Sequence, residues 1–277
     1  MEHSGQFTWQ VFWELFLIFA IFANSLSFII YHSNVRNNSG TPNITKRLSE
    51  NSNRRTYVIA GSPNQATQSV KEFLSRVPGD VILLDYSNTG YSIERFVQWM
   101  SDDIARLPPN VKPVILAISM GVLPAISVMT GTTGVELYAV NPCFGHSYLQ
   151  EKMKTLCVTG AIGLTVLQII LGWISYLPIV EGIYKILGDP SPKNYSITTY
   201  AEQLCILWKT DFSPMEFESK TIRMILSYDD DVVNNSRTTA VLLEAPTTWI
   251  YVPHGTVSDS AYAPFYIEAL EHHGFFD

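Results

Sequence analysis

The sequence predicts an α/β domain with a mostly parallel sheet of about six strands and helices on both faces. Short apolar runs rich in β-branched residues recur after residue 55, and each run ends in turn residues. Helix-like stretches separate several of these runs, and this alternation is typical of parallel sheets. The composition excludes a disordered chain, since 47% of the 277 residues are hydrophobic and only 16% are charged.

The strands and helices follow in chain order. Six apolar runs predict the strands, at 56–61, 80–85, 113–119, 135–140, 221–227 and 247–252. Helices are predicted at 65–77, at 93–107, around Ile126 and at 263–270. Sheets of this kind carry their chemistry at the carboxyl ends of the strands, so the residues after each strand are the candidates for function.

The balance of charges argues against a nucleic-acid partner. The chain has 18 Lys and Arg against 25 Asp and Glu, a net charge of −7, whereas a surface that binds nucleic acid is basic. The three cysteines, Cys143, Cys157 and Cys205, have no paired spacing. The sequence therefore predicts neither a disulfide framework nor a CxxC metal site.

An apolar block near the N-terminus, residues 7–31, contains one charged residue, Glu14. A helix of about 25 residues measures roughly 37 Å, which is long enough to cross a bilayer with some tilt. We therefore predict a transmembrane anchor over residues 1–35. A cleaved signal peptide is the alternative, and it fits less well because no Lys or Arg precedes the apolar run.

The residues after this block, 36–55, are polar, aperiodic and rich in Asn and Ser, so they predict a linker. Five Lys or Arg residues lie in the linker, whereas Glu2 is the one charged residue other than His before the apolar block 7–31. By the positive-inside rule, this asymmetry puts the main domain on the cytoplasmic side of a single-pass membrane protein. Residues 56–277 then have a normal size for one α/β domain.

A candidate nucleophile follows the third predicted strand, in Ala117-Ile118-Ser119-Met120-Gly121. A serine between small residues at a strand-to-helix turn is the nucleophile-elbow pattern, because larger side chains would collide in so tight a turn. The turn would hold Ser119 at the sheet edge, close to the free N–H groups of the next helix. A plain strand-end turn is the alternative interpretation of these five residues.

A candidate acid and a candidate base follow the last two predicted strands. Asp229, Asp230 and Asp231 come after the fifth strand, and His254 comes after the sixth. The chain order Ser, Asp, His is the order expected with such an elbow. A neutral imidazole can take the serine proton, and a carboxylate can fix the tautomer of that imidazole. Taken singly, each residue also fits a solvated loop.

Around these residues the chain resembles the α/β-hydrolase superfamily, over 56–276. Ala60-Gly61-Ser62-Pro63 is similar to the His-Gly oxyanion loop of that family, and DYSNTGYS at 85–92 is similar to its Asp-x-x-Gly-x-Gly-x-Ser loop. Ser227-x-x-Asp230-x-Val232-Val233 is similar to its Gly-x-x-Asp-x-Val-Val acid loop, and this similarity selects Asp230 among the three aspartates.

The resemblance implies an esterase, lipase, thioesterase or acyltransferase that uses neither a metal nor an organic cofactor. It assigns Ser119 as the nucleophile, His254 as the base and Asp230 as the residue that orients His254. It also implies an oxyanion hole made by two backbone N–H groups, those of Met120 and Ser62.

Three positions depart from the family pattern: Ala60 stands where His is common, Asn88 replaces a Gly, and Val122 stands where a second Gly often follows the elbow. Asn is a tolerable replacement because it adopts positive φ more readily than most residues. The first two strands of the family have no counterpart in the predicted elements. The resemblance therefore implies a minimal sheet of about six strands.

A second apolar block lies between the nucleophile strand and the acid strand, within 144–220, where this family inserts a cap. Residues 155–180 include no charged side chain in 26 positions. A single membrane crossing is excluded because the flanking strands join one sheet, and two crossings would have only about 13 residues each. We predict an apolar helical cap that lines a site for an acyl chain. Cap helices that merely pack on the domain are the alternative.

These observations predict a membrane-anchored serine hydrolase that cleaves an ester or thioester of a lipid or acyl-chain substrate. The expected partners are the lipid bilayer and this apolar substrate, with no nucleic acid. One alternative is an acyltransferase that uses the same three residues. Another is a non-catalytic hydrolase-like protein that binds a lipid or a protein partner.

Overall fold

The computed structural model describes much of the chain: residues 9, 11–19, 22, 43–49, 52–59, 61, 73–85, 93–155, 206, 207, 209, 210, 212, 222–239, 245–254 and 262–277. Seven strands lie within these residues: β1 (Asn43–Arg47), β2 (Arg54–Ile59), β3 (Asp80–Asp85), β4 (Lys112–Ile118), β5 (Glu136–Val140), β6 (Ile222–Asp229) and β7 (Thr247–Pro253). All six predicted strands are confirmed.

The seven strands form one sheet in the order β1-β3-β2-β4-β5-β6-β7. Strands β2 to β7 pair in parallel, so their carboxyl ends lie at the same edge. The nucleophile candidate follows β4, and the acid and base candidates follow β6 and β7, which lie two and three places along the sheet from β4. The mostly parallel α/β architecture is therefore confirmed.

The prediction of six strands is wrong by one, because β1 lies inside the segment that the sequence predicts as a linker. Strand β1 pairs antiparallel with β3 at the edge of the sheet. Its sequence, NITKR, lacks the apolar run of a buried strand, and Ile44 is its one hydrophobic residue and packs on the core. Arg47 instead donates hydrogen bonds to the carbonyls of Ser75 and Val77. Polar edge strands of this kind resist pairing with other chains.

Four α-helices have both of their ends within the described residues: α1 (Ile93–Ala105), α2 (Val122–Gly131), α3 (Asn235–Thr239) and α4 (Ala263–His272). Helices α1 and α2 contribute Phe96, Met100 and Ile126 to a core on one face of the sheet. Helix α4 contributes Tyr266 and Leu270 to a core on the other face. The predicted helices at 93–107, around Ile126 and at 263–270 are confirmed; of 65–77, residues 73–76 are helical and 65–72 lie outside the described residues.

Successive side chains of a strand point to opposite faces of the sheet, and here both faces are buried. In β4, Val114, Leu116 and Ile118 face one core, whereas Ile115 and Ala117 face the other. Apolar side chains therefore follow one another without a polar interruption, as in strands that are covered on both sides.

Charged side chains gather at the amino ends of the strands. Arg55 of β2 forms ion pairs with Asp80, at 3.0 Å, and with Asp103, at 3.2 Å. Lys112 and Arg223 form ion pairs with Glu136, at 2.8 and 3.7 Å. These pairs lie at the edge opposite to the candidate catalytic residues, so they serve the packing of the sheet rather than its chemistry.

Two predicted segments are described only in part. Of the predicted anchor, residues 9, 11–19 and 22 are helical and their side chains are exposed. Among the residues that the structure describes, no helix is long and apolar enough to cross a membrane. Of the predicted cap, 144–155 and a few residues between 206 and 212 are described, and 156–180 lies outside the described residues.

Candidate active site

Ser119 occupies a tight turn between β4 and α2. Strand β4 ends at Ile118, a 3₁₀ turn covers Ser119–Gly121, and α2 begins at Val122. The φ angle of Ser119 is 52°, in the left-handed region that side chains other than glycine rarely adopt. Such strained backbone concentrates at active sites, because the surrounding structure must hold it in place. Ser119 is half-buried, whereas its neighbours Ile118 and Met120 are buried.

Gly61 lies directly against this serine. A Cβ atom on Gly61 would lie 2.8 Å from Ser119 Cβ and 3.2 Å from the Ile118 carbonyl oxygen, so a side chain does not fit there. The glycine therefore allows the backbone after β2 to approach the nucleophile candidate closely. This approach is what an oxyanion donor in the loop after β2 would require.

Asp230 is held in a turn that directs donors at its carboxylate. Only 1% of the side chain is exposed. Oδ1 accepts hydrogen bonds from the backbone N–H groups of Val232, at 2.9 Å, and Val233, at 2.7 Å. These two hydrogen bonds fix the carboxylate in position and offset the free-energy cost of burying it.

His254 contacts that carboxylate. Its Nδ1 lies 2.8 Å from Asp230 Oδ2 and 3.0 Å from Oδ1. When Nδ1–H donates to the carboxylate, the imidazole is held in the tautomer whose Nε2 can accept a proton. The side chain of His254 is 14% exposed, so the imidazole is partly open to solvent while its partner is not.

The two aspartates beside Asp230 have different surroundings. Asp231 is exposed and forms an ion pair with Lys152 at 3.3 Å. Asp229 is exposed at the end of β6, where it pairs in register with Pro253. Only Asp230 of the three has a hydrogen bond to His254 within the described part of the chain.

The other described histidines lie elsewhere. His273, after α4, shares a 2.9 Å hydrogen bond with Thr248 near the amino end of β7, and burial lowers the pKa of its imidazole. His272 stacks edge-on against His273. His146 lies in a 3₁₀ turn after β5. Each of these histidines therefore lies outside the Asp230 contact.

Of the two predicted oxyanion donors, Met120 lies within the described residues. Met120 follows Ser119 in the 3₁₀ turn and is 4% exposed. Ser62 lies outside the described residues, although Gly61 before it is described. The loop at 85–92 is likewise outside them, apart from Asp85 at the end of β3.

Sequence reasoning missed Asn235, a buried residue in α3. Its Nδ2 donates to the Ser227 carbonyl at 2.6 Å and contacts Asp230 Oδ2 at 3.4 Å. The amide thus links the end of β6 to the acid turn. Asn235 is only 7% exposed, but burial is not visible in the sequence, so no sequence signal distinguished it from other polar residues near Asp230.

No metal site is formed by the described residues, since no three of their His, Cys, Asp or Glu side chains form a group that could hold an ion. At one edge of the sheet lie the Ser119 hydroxyl, in a strained turn after β4, and the His254 imidazole, which contacts a buried carboxylate. This combination suits nucleophilic attack on a carbonyl.

Comparison with known proteins supports the fold. No protein-family model matches the sequence, and no curated protein matches it. A marine microorganism esterase is similar in structure, with 12% identity, a TM-score of 0.57, and coverage of 84% of this chain and 99% of that chain. An alpha/beta hydrolase enzyme from a Medee basin deep-sea metagenome library shows 14% identity, a TM-score of 0.55, and coverage of 85% and 94%.

A type II thioesterase of the yersiniabactin biosynthetic pathway is also similar, with 11% identity, a TM-score of 0.57, and coverage of 84% and 99%. At such low identity, a structural likeness shows the fold alone. The chain therefore has the α/β-hydrolase fold, with a mostly parallel sheet of seven strands among its described residues.

The close approach of Gly61 to Ser119 generates a prediction. The substitution Gly61→Ala displaces the loop or the serine, and a displacement of about 1 Å lowers the rate at which a fluorophosphonate labels Ser119 by about 100-fold. The matched control is Gly131→Ala at the end of α2, where an added Cβ meets nothing within 4 Å. The measurement is the labelling rate of folded protein, and equal rates for the two variants would contradict the prediction.

Proposed function

We propose that the protein is a serine hydrolase that cleaves an ester or thioester by means of Ser119, His254 and Asp230. The observation that carries this proposal is the 2.8 Å contact between His254 Nδ1 and the buried Asp230 carboxylate. It lies at the edge of the sheet where Ser119 leaves β4 with a φ of 52°. The α/β-hydrolase fold and the esterases and thioesterase that share it support the same proposal.

The first half of the proposed reaction forms an acyl-enzyme. Ser119 Oγ attacks the carbonyl carbon of the substrate while His254 Nε2 takes the hydroxyl proton. The tetrahedral intermediate then collapses, the bond to the alcohol or thiol breaks, and that leaving group takes the proton from His254. Asp230 stays ionised throughout and stabilises the imidazolium that forms between these two events.

The second half removes the acyl group with water. His254 Nε2 takes a proton from the water, whose oxygen attacks the acyl carbon and forms a second tetrahedral intermediate. The bond to Ser119 Oγ then breaks, the proton returns from His254 to Oγ, and the carboxylic acid leaves. In both halves the backbone N–H groups of Met120 and Ser62 are the proposed donors to the oxyanion.

The proposed substrate carries an apolar acyl chain. The uncharged segment 155–180 lies in the chain between the nucleophile and the acid, where a cap over the site would be built. The apolar N-terminal segment supports a location at a membrane, where such substrates dissolve. The protein is accordingly proposed to be single-pass, with its catalytic domain on the cytoplasmic side.

Replacement of the nucleophile tests the reaction. Ser119→Ala abolishes labelling by a fluorophosphonate probe and lowers ester hydrolysis by at least about 10⁴-fold, because no other group takes over the attack. Ser127→Ala is the matched control, since its hydroxyl donates to the Leu123 carbonyl within α2 and its loss leaves labelling intact. Gel-based labelling and hydrolysis of a thioester and an oxyester are the measurements.

Each other outcome of that experiment points elsewhere. Persistent labelling of Ser119→Ala shows that the nucleophile is another residue. A wild-type protein that is neither labelled nor active is a non-catalytic protein with this fold. Transfer of the acyl group to an added alcohol or amine in preference to water identifies an acyltransferase.

The acyl specificity is tested with esters of increasing chain length. Each CH₂ group that the site buries contributes roughly 0.8 kcal/mol, or about fourfold in kcat/KM, until the acyl site is full. Esters from acetyl to palmitoyl, the longer ones in micelles, are compared, and Ser119→Ala supplies the background rate. Cleavage of short soluble esters with no activity on long ones would overturn the acyl-chain proposal.

The membrane location is tested on the full chain. Wild-type protein stays in the membrane pellet after alkaline carbonate extraction, whereas Leu15→Arg combined with Phe19→Arg releases it, because each buried Arg costs about 3 kcal/mol at the centre of a span. Ser39→Arg, in the polar segment, is the control and leaves the protein in the pellet. Release of the wild-type protein by carbonate would show that 7–31 is not an anchor.

A further inference from the structure

The pairing between β6 and β7 is irregular just before His254. Ser227 pairs with Ile250, and Asp229 pairs with Pro253, so one residue of β6 faces two residues of β7. A bulge of this kind interrupts the ladder of hydrogen bonds and bends the strand. The carbonyl groups at the end of β7 therefore need donors from outside the ladder.

Side-chain hydroxyls supply these donors. Ser227 Oγ donates to the Val252 carbonyl. Tyr266 Oη, from α4, donates to the Pro253 carbonyl at 3.3 Å, and Pro253 directly precedes His254. Both donors are buried, with Ser227 1% exposed and Tyr266 0% exposed. At the bulge, two side-chain hydroxyls therefore hold the end of the strand that carries the base, in addition to its backbone pairing with β6.

Asn141, the residue after β5, joins these two supports. Its Nδ2 donates to Tyr266 Oη at 2.7 Å, and its Oδ1 accepts from the backbone N–H of Ser227 at 2.9 Å. Asn141 is 0% exposed. The buried amide of Asn141 thus connects β6, which leads to Asp230, with Tyr266. Tyr266 in turn holds the end of β7, which leads to His254.

The backbone of Asn141 also departs from ordinary geometry. Its φ is 43°, and among the described non-glycine residues only Asn141 and Ser119 have positive φ. Its backbone N–H donates to the Ile225 carbonyl at 2.8 Å, which continues the pairing with β6 past the end of β5. Asparagine is several-fold enriched in this left-handed region relative to other non-glycine residues. The side-chain amide of Asn141 lies beside β6 and α4, where it bonds to Ser227 and Tyr266.

We propose that Asn141 and Tyr266 are positioning residues, which hold the bulged end of β7 so that His254 stays aligned with Asp230. The inference rests on the proposed function, since it assigns the alignment of the proposed base to a buried network. In this network Asn141 fixes Tyr266 and Tyr266 fixes the Pro253 carbonyl, and both residues are fully buried.

The test compares two buried tyrosines. Tyr266→Phe removes the donor to Pro253, and Tyr138→Phe is the matched control, because Tyr138 Oη donates to the His273 carbonyl at the same 3.3 Å. Tyr138 is 2% exposed and belongs to the same core as Tyr266. The Tyr266→Phe variant lowers kcat about tenfold with KM changed less than about twofold, whereas the Tyr138→Phe variant retains the wild-type kcat.

Asn141→Gly provides a second variant, since glycine keeps the left-handed backbone while the amide is removed. It lowers kcat by a similar factor, and its combination with Tyr266→Phe lowers kcat little further because both changes break one network. Melting temperatures are measured for all variants, and kinetics are compared well below them. Equal kcat values for Tyr266→Phe and Tyr138→Phe would overturn the inference.

A spectroscopic measurement separates this inference from the proposed function. A histidine Nδ1–H that donates to a carboxylate gives a far-downfield proton resonance, which His254→Gln identifies by its loss. The resonance is present in wild-type protein and in Tyr138→Phe, and it broadens in Tyr266→Phe. A wild-type protein with this behaviour but without Ser119-dependent hydrolysis supports the positioning network and refutes the hydrolase. An unchanged resonance in Tyr266→Phe refutes the positioning network, whatever the activity.

Discussion

Burial of the sheet on both faces is the constraint from which the rest of the structure follows. Strands such as β4 supply apolar side chains to two cores at once, so their faces hold no polar chemistry. Polar groups are left at the strand ends, where the backbone meets solvent. Ion pairs such as that of Arg55 with Asp80 lie at the amino ends. Ser119 and the contact of His254 with Asp230 lie at the carboxyl ends.

The carboxyl edge departs from regular geometry at each of the points that matter for the proposed chemistry. Ser119 and Asn141 have left-handed backbone at the ends of adjacent strands, and β7 is bulged before its last residue. Regular strands would carry their side chains past the edge in fixed directions, whereas bulges and left-handed residues re-aim the side chains at these ends. Buried hydrogen bonds hold these irregular ends in place. At Asp230, for example, the carboxylate accepts hydrogen bonds from two backbone N–H groups.

Much of this fold could be predicted from the sequence because buried parallel strands are continuous apolar runs. Strand β3 begins and ends where its run predicts, at Asp80 and Asp85. Strand β1 could not be predicted, since an edge strand with one inward side chain has no such run. Ser119 was indicated by the small residues around it, which a tight turn requires.

The partners of the site residues were harder to predict than the site residues themselves. Asn141 and Tyr266 are 125 positions apart, and no local pattern shows that their side chains meet. Asn235 is close to Asp230 in sequence, but only the burial of α3 against β6 brings its amide to the acid turn. Gly61 is part of a recognisable loop, yet its contact with Ser119 depends on the pairing of β2 with β4.

The left-handed backbone of Ser119 also limits which side chains could replace this serine in the course of evolution. A φ of 52° brings Cβ close to the neighbouring backbone, and a second branch on Cβ makes that crowding severe. Threonine is therefore strongly disfavoured at this position although it carries the same hydroxyl. Side chains without a second branch at Cβ, such as those of cysteine and aspartate, avoid this additional crowding, so the backbone of the turn disfavours some replacements of the proposed nucleophile more than others.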